Sequence, residues 1–249
     1  MKKVFLSIAA VAAMVFTAQA QFKITPKVGY TASTWGFSKD VKDEIKDADG
    51  KISLTSGFSA GAAFELGVSD QFSIQPEILY TQKGYKLSGK ESDGEGGSYD
   101  AKMDTKFNYL EIPVLFKASF GDEDALRFFG YVGPYFGYAL NGKSKSKLSS
   151  GGASIDFTTK IKFGDEPENA ADDEEYYSSD DANRLDIGAY VGAGASLPVG
   201  PGAISLEARY GYGLTNFYKT PDGGDKKDYK SQTRTIGIFV GYSIPLGGK

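Results

Sequence analysis

Apolar and polar residues alternate along much of the chain, and this period of two constrains the fold more than any single motif. In the nonapeptide FSIQPEILY, residues 72–80, the even-numbered positions are apolar, whereas Ser73, Gln75 and Glu77 are polar. Such alternation predicts a β-strand that has one face in an apolar environment. Eight amphipathic segments of similar length are present, at residues 22–37, 54–68, 72–87, 105–120, 126–141, 184–199, 203–218 and 233–246.

The connections between these segments alternate in length. Short turns lie at 69–71, 121–125 and 200–202, whereas long polar loops lie at 38–53, 88–104, 142–183 and 219–232. An even strand count with this alternation is typical of outer-membrane barrels, in which the turns and both termini face the periplasm. We therefore predict an all-β fold, an eight-stranded antiparallel up-and-down transmembrane β-barrel. Each segment exceeds the roughly 9 to 11 residues that cross a bilayer, so we expect the barrel to project above it.

The amino terminus has the pattern of an export signal. Lys2 and Lys3 precede an apolar run at 4–16, which is followed by Ala18-Gln19-Ala20. This run is shorter than the roughly 20 residues of a transmembrane helix, so we predict a cleaved signal peptide over residues 1–20 and a barrel domain over 21–249. Loss of two lysines from a chain of net charge −4 leaves an acidic mature protein, which argues against a nucleic-acid partner.

A membrane barrel and a soluble barrel differ in the direction in which the apolar face of each strand points. In the sixth segment, apolar residues alternate with small or polar ones such as Asp186, Gly188 and Gly192, which suit the interior of a narrow barrel. We therefore expect the apolar face to point outward. Aromatic residues near the strand ends predict interfacial girdles, with Trp35, Phe37, Tyr85, Phe217 and Tyr218 at the loop end and Phe22, Phe72, Phe116 and Phe120 at the turn end. Ordinary strand aromatics are the alternative.

Charged residues also fall on the predicted inner face. Six of them lie in the third of the wall nearest the turns: Lys27, Glu65, Glu77, Lys117, Glu207 and Arg209. Unpaired charges in a narrow lumen are costly, so we expect interlocked ion pairs. We expect Lys27 to pair with Glu65 and Glu77 with Lys117, while Glu207 and Arg209 close the ring. Higher up, Lys83 and Glu111 share the inner face and are placed to pair.

Two interpretations of this charge cluster remain open. We favour a structural plug that fills the barrel over a gate or narrow ion path. Catalysis is the weakest interpretation, because the chain has no His and no Cys and therefore lacks an imidazole base, an imidazole metal ligand and a thiolate. Paired carboxylates alone are better explained by ion pairing. We predict a protein that is not an enzyme and that has no metal or cofactor.

Four segments carry a family likeness: PEILYTQKG (76–84), NYLEIPVLFK (108–117), GYVGPYFG (130–137) and EARYGYGLT (207–215). They resemble the PorT-type outer-membrane β-barrel family. The resemblance implies a barrel in the outer membrane, and PorT itself implies an accessory role in protein secretion. The final segment YSIPL (242–246) lacks the terminal aromatic residue that is typical of strands recognised by the barrel-assembly machinery.

The loop at 142–183 is the most distinctive of the four. Residues 165–181 contain nine acidic residues, and the whole loop has five lysines against ten acidic residues. Such a stretch could bind calcium or a basic partner, but its composition favours a solvated segment without regular structure. Lys143, Lys145 and Lys147 alternate with serines near the base of this loop. They either meet anionic lipopolysaccharide or belong to an ordinary solvated strand extension, which we favour.

Together these features predict a monomeric outer-membrane protein that acts as a structural scaffold or meets an extracellular protein partner through its loops. Its other expected partners are outer-membrane lipid, lipopolysaccharide and the barrel-assembly machinery. A narrow passive channel for ions or small solutes is the second hypothesis, with the lumen charges as its selectivity element. A soluble periplasmic barrel is the third.

Membrane extraction distinguishes the third hypothesis from the first two. Because an integral barrel is held by its apolar outer face, we expect alkaline carbonate to leave the protein in the membrane fraction. A periplasmic marker protein in the same preparation should be released. Release of the barrel together with that marker would contradict membrane insertion.

Overall fold

A computed structural model describes residues 22–92, 98–122, 124–178, 181–220 and 230–246. The predicted signal peptide, residues 1–20, lies outside this part of the chain. The described part contains one helix, α1 (Lys39–Asp47). Its strands are β1 (Phe22–Phe37), β2 (Lys51–Ser53), β3 (Thr55–Gly67), β4 (Phe72–Ser92), β5 (Ser98–Phe120), β6 (Arg127–Ser150), β7 (Ala153–Phe163), β8 (Glu174–Tyr177), β9 (Leu185–Val199), β10 (Gly202–Gly213) and β11 (Ser231–Pro245).

Eight of these strands close into a ring. The order is β1, β3, β4, β5, β6, β9, β10 and β11, every neighbouring pair is antiparallel, and β11 pairs back onto β1. This confirms the predicted eight-stranded up-and-down barrel. Closure leaves the ring without an unpaired edge, which is what a sheet in lipid requires. In the described residues, no helix has the length and apolarity needed to cross a membrane.

The two faces of the wall differ as the alternation predicted. On β4 the odd-numbered Ser73, Gln75 and Glu77 are buried, whereas the even-numbered Phe72 and Ile78 are more than half exposed. The fifth segment, which carries aromatic residues on both faces, follows the same rule on β6. Its inner positions include Phe129 and Tyr135, and its apolar outer positions are exposed to the surroundings. The outer face of the barrel is therefore apolar, and the inner face combines polar residues with buried aromatic side chains.

Three predicted loops contain regular structure of their own, and the first of them, 38–53, contains α1 and β2. The predicted loop 88–104 is largely a hairpin, because β4 continues to Ser92 and β5 begins at Ser98. The predicted loop 142–183 contains the end of β6, the antiparallel β7 and the parallel β8. The expectation that the acidic segment lacks regular structure is therefore wrong for β8. Strand partners supplied by β6 and β7 satisfy its backbone, and composition does not reveal such partners.

The predicted aromatic girdle at the loop end is wrong. Trp35, Phe37, Tyr85 and Phe217 are buried together inside the barrel mouth, and Tyr218 packs against them. Trp35 and Phe37 occupy inner-face positions of β1, so nearness to the strand end was a poorer guide than strand parity. At the turn end the structure agrees with the predicted girdle for three residues, because Phe72, Phe116 and Phe120 are exposed on the outer face.

Glycines on β9 make room for the inner aromatic side chains of β6. Tyr131 lies directly opposite Gly192, and Phe129 and Tyr135 likewise lie opposite glycines. A Cβ atom on residue 192 would approach the Tyr131 ring to 2.6 Å and the Ala208 carbonyl oxygen to 2.7 Å. Each large ring is therefore accommodated by a missing side chain on the neighbouring strand, an arrangement that also covers the exposed glycine backbone.

This packing predicts that Gly192→Val destabilises the barrel. The added side chain would displace Tyr131, and overpacking of this kind costs about 1 to 3 kcal/mol. The measurement is urea unfolding of the protein in lipid vesicles. Ala193→Val is the matched control, because residue 193 faces outward on the same strand and should leave the midpoint unchanged. Equal midpoints for wild type and Gly192→Val would contradict the proposed fit.

Candidate functional site

The eight lumen charges predicted from the sequence all point into the barrel, where they form three separate clusters. The lower cluster, nearest the turns, contains Glu65 and Lys117. The central cluster contains Lys27, Glu77, Glu207 and Arg209. The upper cluster contains Lys83 and Glu111, which the sequence analysis named, and Asp186. The charges thus form layers along the barrel axis.

Arg209 and Glu77 form the centre of the central cluster. The guanidinium group donates from Nη1 to Glu77 Oε2 at 2.8 Å and from Nη2 to Glu77 Oε1 at 3.1 Å. Lys27 donates to the same carboxylate at 3.1 Å, and both cations also contact Glu207. Two cations and two carboxylates therefore neutralise one another. Their side chains are at most 5% exposed, so the pairs are withdrawn from water.

The predicted pairing of Lys27 with Glu65 and of Glu77 with Lys117 is wrong. Lys27 contacts Glu77 instead, and Lys117 donates to Glu65 at 2.7 Å. The reason is the register of the tilted strands. Lys27 lies opposite Gly61 and not Glu65, and Lys117 lies opposite Ser73 and not Glu77. Equal distance from a turn along the chain therefore does not mean equal height in the barrel.

The upper cluster has one cation for two carboxylates. Lys83, which is 1% exposed, contacts Glu111 and donates to Asp186 at 3.0 Å. Tyr190 donates to Glu111 at 2.9 Å, and Tyr135 and Thr233 hydroxyls contact Asp186 at 2.9 to 3.3 Å. These neutral donors stabilise the second carboxylate, whose charge is not matched by another cation.

Neutral side chains connect the clusters. Gln75 donates to Glu77 at 2.7 Å and accepts from Lys117 at 3.3 Å, which links the central and lower clusters. Tyrosine side chains also take part, and the sequence analysis did not assign them to this network. Tyr131 accepts a hydrogen bond from Arg209 Nε at 3.1 Å. Tyr190 lies under the Arg209 guanidinium at 5.2 Å while its hydroxyl contacts Glu111 in the upper cluster. The strand pattern contains a signal for them, since these tyrosines share parity with the small inner residues of their strands. For Tyr131 this signal is obscured, because both faces of the fifth segment carry aromatic residues.

Aromatic rings close the barrel above the upper cluster. Trp35 lies 4.7 Å from both Tyr85 and Phe217 and stacks on Phe107 at 5.4 Å, measured between ring centroids. Helix α1 and β2 contribute Val41 and Ile52 to the edge of this group, which we call the aromatic cap. The described rings of the aromatic cap therefore bury one another at the loop end of the lumen.

The carboxylates of the lumen are therefore occupied by their own protein partners. In the described part of the chain, no group of three or more acidic residues is placed to hold a metal ion. The geometry is that of a neutralised, desolvated interior with one surplus negative charge in the upper cluster. Such an arrangement can rigidify a barrel and exclude water.

Comparison with known proteins identifies the family of this barrel. Residues 17–219 match the family model described as outer membrane protein beta-barrel domain. The chain belongs to this family and is an outer-membrane β-barrel. No curated protein sequence matches it.

The chain is similar to several solved protein structures at low sequence identity. OprG of Pseudomonas aeruginosa is 10% identical, with a TM-score of 0.45 over 92% of this chain and 97% of OprG. Neisserial surface protein A is 13% identical, with a TM-score of 0.41 over 90% of this chain and 97% of its own. The attachment invasion locus protein Ail of Yersinia pestis is 14% identical, with a TM-score of 0.38 over 90% and 99%.

The observed ion pairs predict how single substitutions act. Glu77→Ala should cost about 3 kcal/mol or more, because it leaves two buried cations with only Glu207. Glu65→Ala, in the partly hydrated lower cluster, should cost less. Unfolding in lipid vesicles measures both.

A double-mutant cycle separates the observed pairing from the pairing expected from the sequence. Glu77→Ala and Arg209→Ala should be coupled by about 1 kcal/mol or more, whereas Glu77→Ala and Lys117→Ala, which share only the neutral partner Gln75, should be coupled more weakly. Strong coupling of Glu77 to Lys117 without coupling to Arg209 would contradict the central cluster.

Proposed function

We propose that this protein is a sealed outer-membrane scaffold that presents a rigid surface structure to an extracellular partner. The observation that carries this proposal is the burial of the charged residues in the lumen. Arg209, Glu77, Lys83 and Glu111 are all at most 3% exposed although they lie at the barrel axis. Buried, mutually neutralised charges below an aromatic cap support a wall that blocks solutes.

The surface structure that would meet a partner is the part of the sheet beyond the barrel. β4, β5, β6 and β7 continue past the apolar belt as neighbouring strands, and β8 extends them on one side. Exposed apolar side chains lie on this extension, including Ile155 and Phe157 on β7. A β-sheet presents such groups at fixed spacing, which favours recognition of a protein surface over passive solvation.

The orientation and cellular context also belong to this proposal. Residues 1–20 would act as a cleaved signal peptide, both termini and the short turns would face the periplasm, and the mature chain would be a monomer inserted by the barrel-assembly machinery. A PorT-like accessory role in protein secretion is one form of the surface role. We propose no enzymatic activity, because the chain has no His and the buried carboxylates are engaged in ion pairs.

One observation favours the second candidate, a narrow passive channel. The upper cluster has two carboxylates for one lysine, and a surplus negative charge in a lumen selects cations. Conduction would require the aromatic cap to open. The packing of Trp35 with four other buried rings argues for the sealed form.

Planar-bilayer recording of the refolded mature chain distinguishes the two candidates. We expect no discrete current steps from wild type, because both the charge clusters and the aromatic cap obstruct the lumen. A general porin in the same bilayer provides the positive control.

Variants show whether any observed current passes through the lumen. Glu77→Gln changes the central cluster, and Asp156→Asn on the exposed β7 is its charge-matched control. Reproducible wild-type steps that change with Glu77→Gln and not with Asp156→Asn would reject the sealed scaffold in favour of the channel.

A further inference from the structure

Five lysines crowd one outward-facing area of the sheet at the loop end of the barrel. They are Lys102 and Lys106 on β5 and Lys143, Lys145 and Lys147 on β6, and we call them the lysine patch. The opposite face of the same strands is buried, because Thr105 and Ser144 contact each other there at 3.0 Å. The lysines therefore point away from the barrel axis.

A β-bulge places the lysines of β6 on this side. The register between β5 and β6 shifts at Asn108 and Tyr109, so that Asn108 lies opposite Asn141 while Tyr109 lies opposite Ala139. Below the bulge, odd-numbered residues of β6 such as Ala139 point inward. Above it Lys143 is exposed and Ser144 is buried. Without this extra residue the three lysines would point into the aromatic cap.

Like charges face one another across the two strands. Lys106 lies directly opposite Lys143, and Lys102 lies directly opposite Lys147. Such pairs destabilise a sheet unless an anion lies between them. Asp104 offers partial compensation, because it lies directly opposite Lys145 and 3.7 Å from Lys106, and Asp156 lies 4.0 Å from Lys147. In the part of the chain that the structure describes, no ion pair joins Lys102, Lys143 or Lys145 to a carboxylate, so the five lysines keep a net positive charge.

The patch lies just beyond the apolar belt. Leu110 and Leu140 are the last exposed aliphatic residues of the outer face on β5 and β6, and Asn108 and Asn141 follow them. At about 3.3 Å per residue, Lys143 lies about 10 Å along the strand from Leu140. Lys143 and its neighbour Lys106 therefore reach the level at which the headgroups of the surrounding lipids begin, and Lys102 and Lys147 lie further out along the same strands.

Uncompensated positive charge is concentrated on one side of the barrel, since the three lysines of helix α1 lie among four acidic residues. At the loop end of the opposite wall, the outer positions of β1 and β3 are occupied by Thr34 and Ser56, which are neutral. Gln232 on β11 is also neutral, although Arg234 follows it. A general need for solubility would place charge around the whole rim. A cluster on β5 and β6 is better explained by a ligand that binds there.

We propose that the lysine patch binds the phosphate groups of a phosphorylated glycolipid in the outer leaflet. Several ammonium groups at sheet spacing can contact one doubly charged headgroup, and each contact adds electrostatic attraction. The patch faces sideways, along the membrane plane, so that neighbouring lipids reach it more directly than a macromolecule arriving from above. This binding is independent of whether the lumen conducts.

Binding of lipid A to the folded, full-length mature protein in detergent tests the proposal. The probe is fluorescent lipid A carrying two phosphates, and the comparison ligand is lipid A with the same acyl chains and no phosphate. The variant K102Q/K143Q/K145Q removes the three unpaired lysines and breaks no ion pair. The matched control K39Q/K42Q/K46Q removes the same charge from helix α1. Heat-modifiable migration confirms that each variant is a closed barrel.

We expect K102Q/K143Q/K145Q to weaken binding of the phosphorylated probe by about tenfold or more, and the helix control to change it less than about twofold. Wild-type binding should weaken as salt rises from about 0.05 M to about 0.5 M. Lipid A without phosphate should bind wild type and the patch variant equally weakly.

Four results would overturn the proposal. Unchanged binding by the patch variant, or equal losses in both variants, would exclude a specific lysine site. Equal affinity for the phosphate-free lipid would assign binding to the acyl chains. Displacement of the probe by inorganic phosphate or by a sulfated polysaccharide at the same concentration as lipid A would assign the patch to a soluble anion.

Discussion

The ion pair between Arg209 and Glu77 is the interaction on which the interior of this barrel depends. It joins β10 to β4 across the lumen, and it holds two charges where almost no water reaches them. A buried charge is tolerated only when a partner remains in place, so the wall strands must keep the heights that bring these groups together. Lys27 and Glu207 extend the same requirement to β1 and strengthen the link within β10.

Packing around this pair depends on small residues as much as on large ones. Tyr131 and Phe239 lie beside the Arg209 guanidinium, and glycines on adjacent strands leave the space that these rings occupy. The interior is therefore filled by a few long or aromatic side chains from a wall rich in glycine. This division permits a barrel of only eight strands to enclose a polar network and an aromatic cap without a wider lumen.

The outer surface divides along the barrel axis into regions with different surroundings. An apolar belt faces lipid, a lysine patch follows at the headgroup level, and the extended sheet of β4 to β8 projects beyond both. The bulge near Asn108 connects these regions, because it rotates the end of β6 so that its lysines face outward while Ser144 stays buried. One inserted residue thus changes which side chains meet the membrane surface.

Local pattern in the sequence was sufficient for the strand count, the antiparallel closure and the inward facing of Glu77, Lys117 and the other lumen charges. These properties follow from a period of two and from alternating loop lengths, which neighbouring residues determine by themselves. The partners of those charges were decided only by the tertiary structure. Closure of tilted strands sets the register between neighbouring strands. In this register Lys27 on β1 lies opposite Gly61 on β3, and its ammonium group contacts Glu77 on β4, the strand after β3. Distance along each strand contains no information about that offset, because it arises only when the last strand pairs with the first.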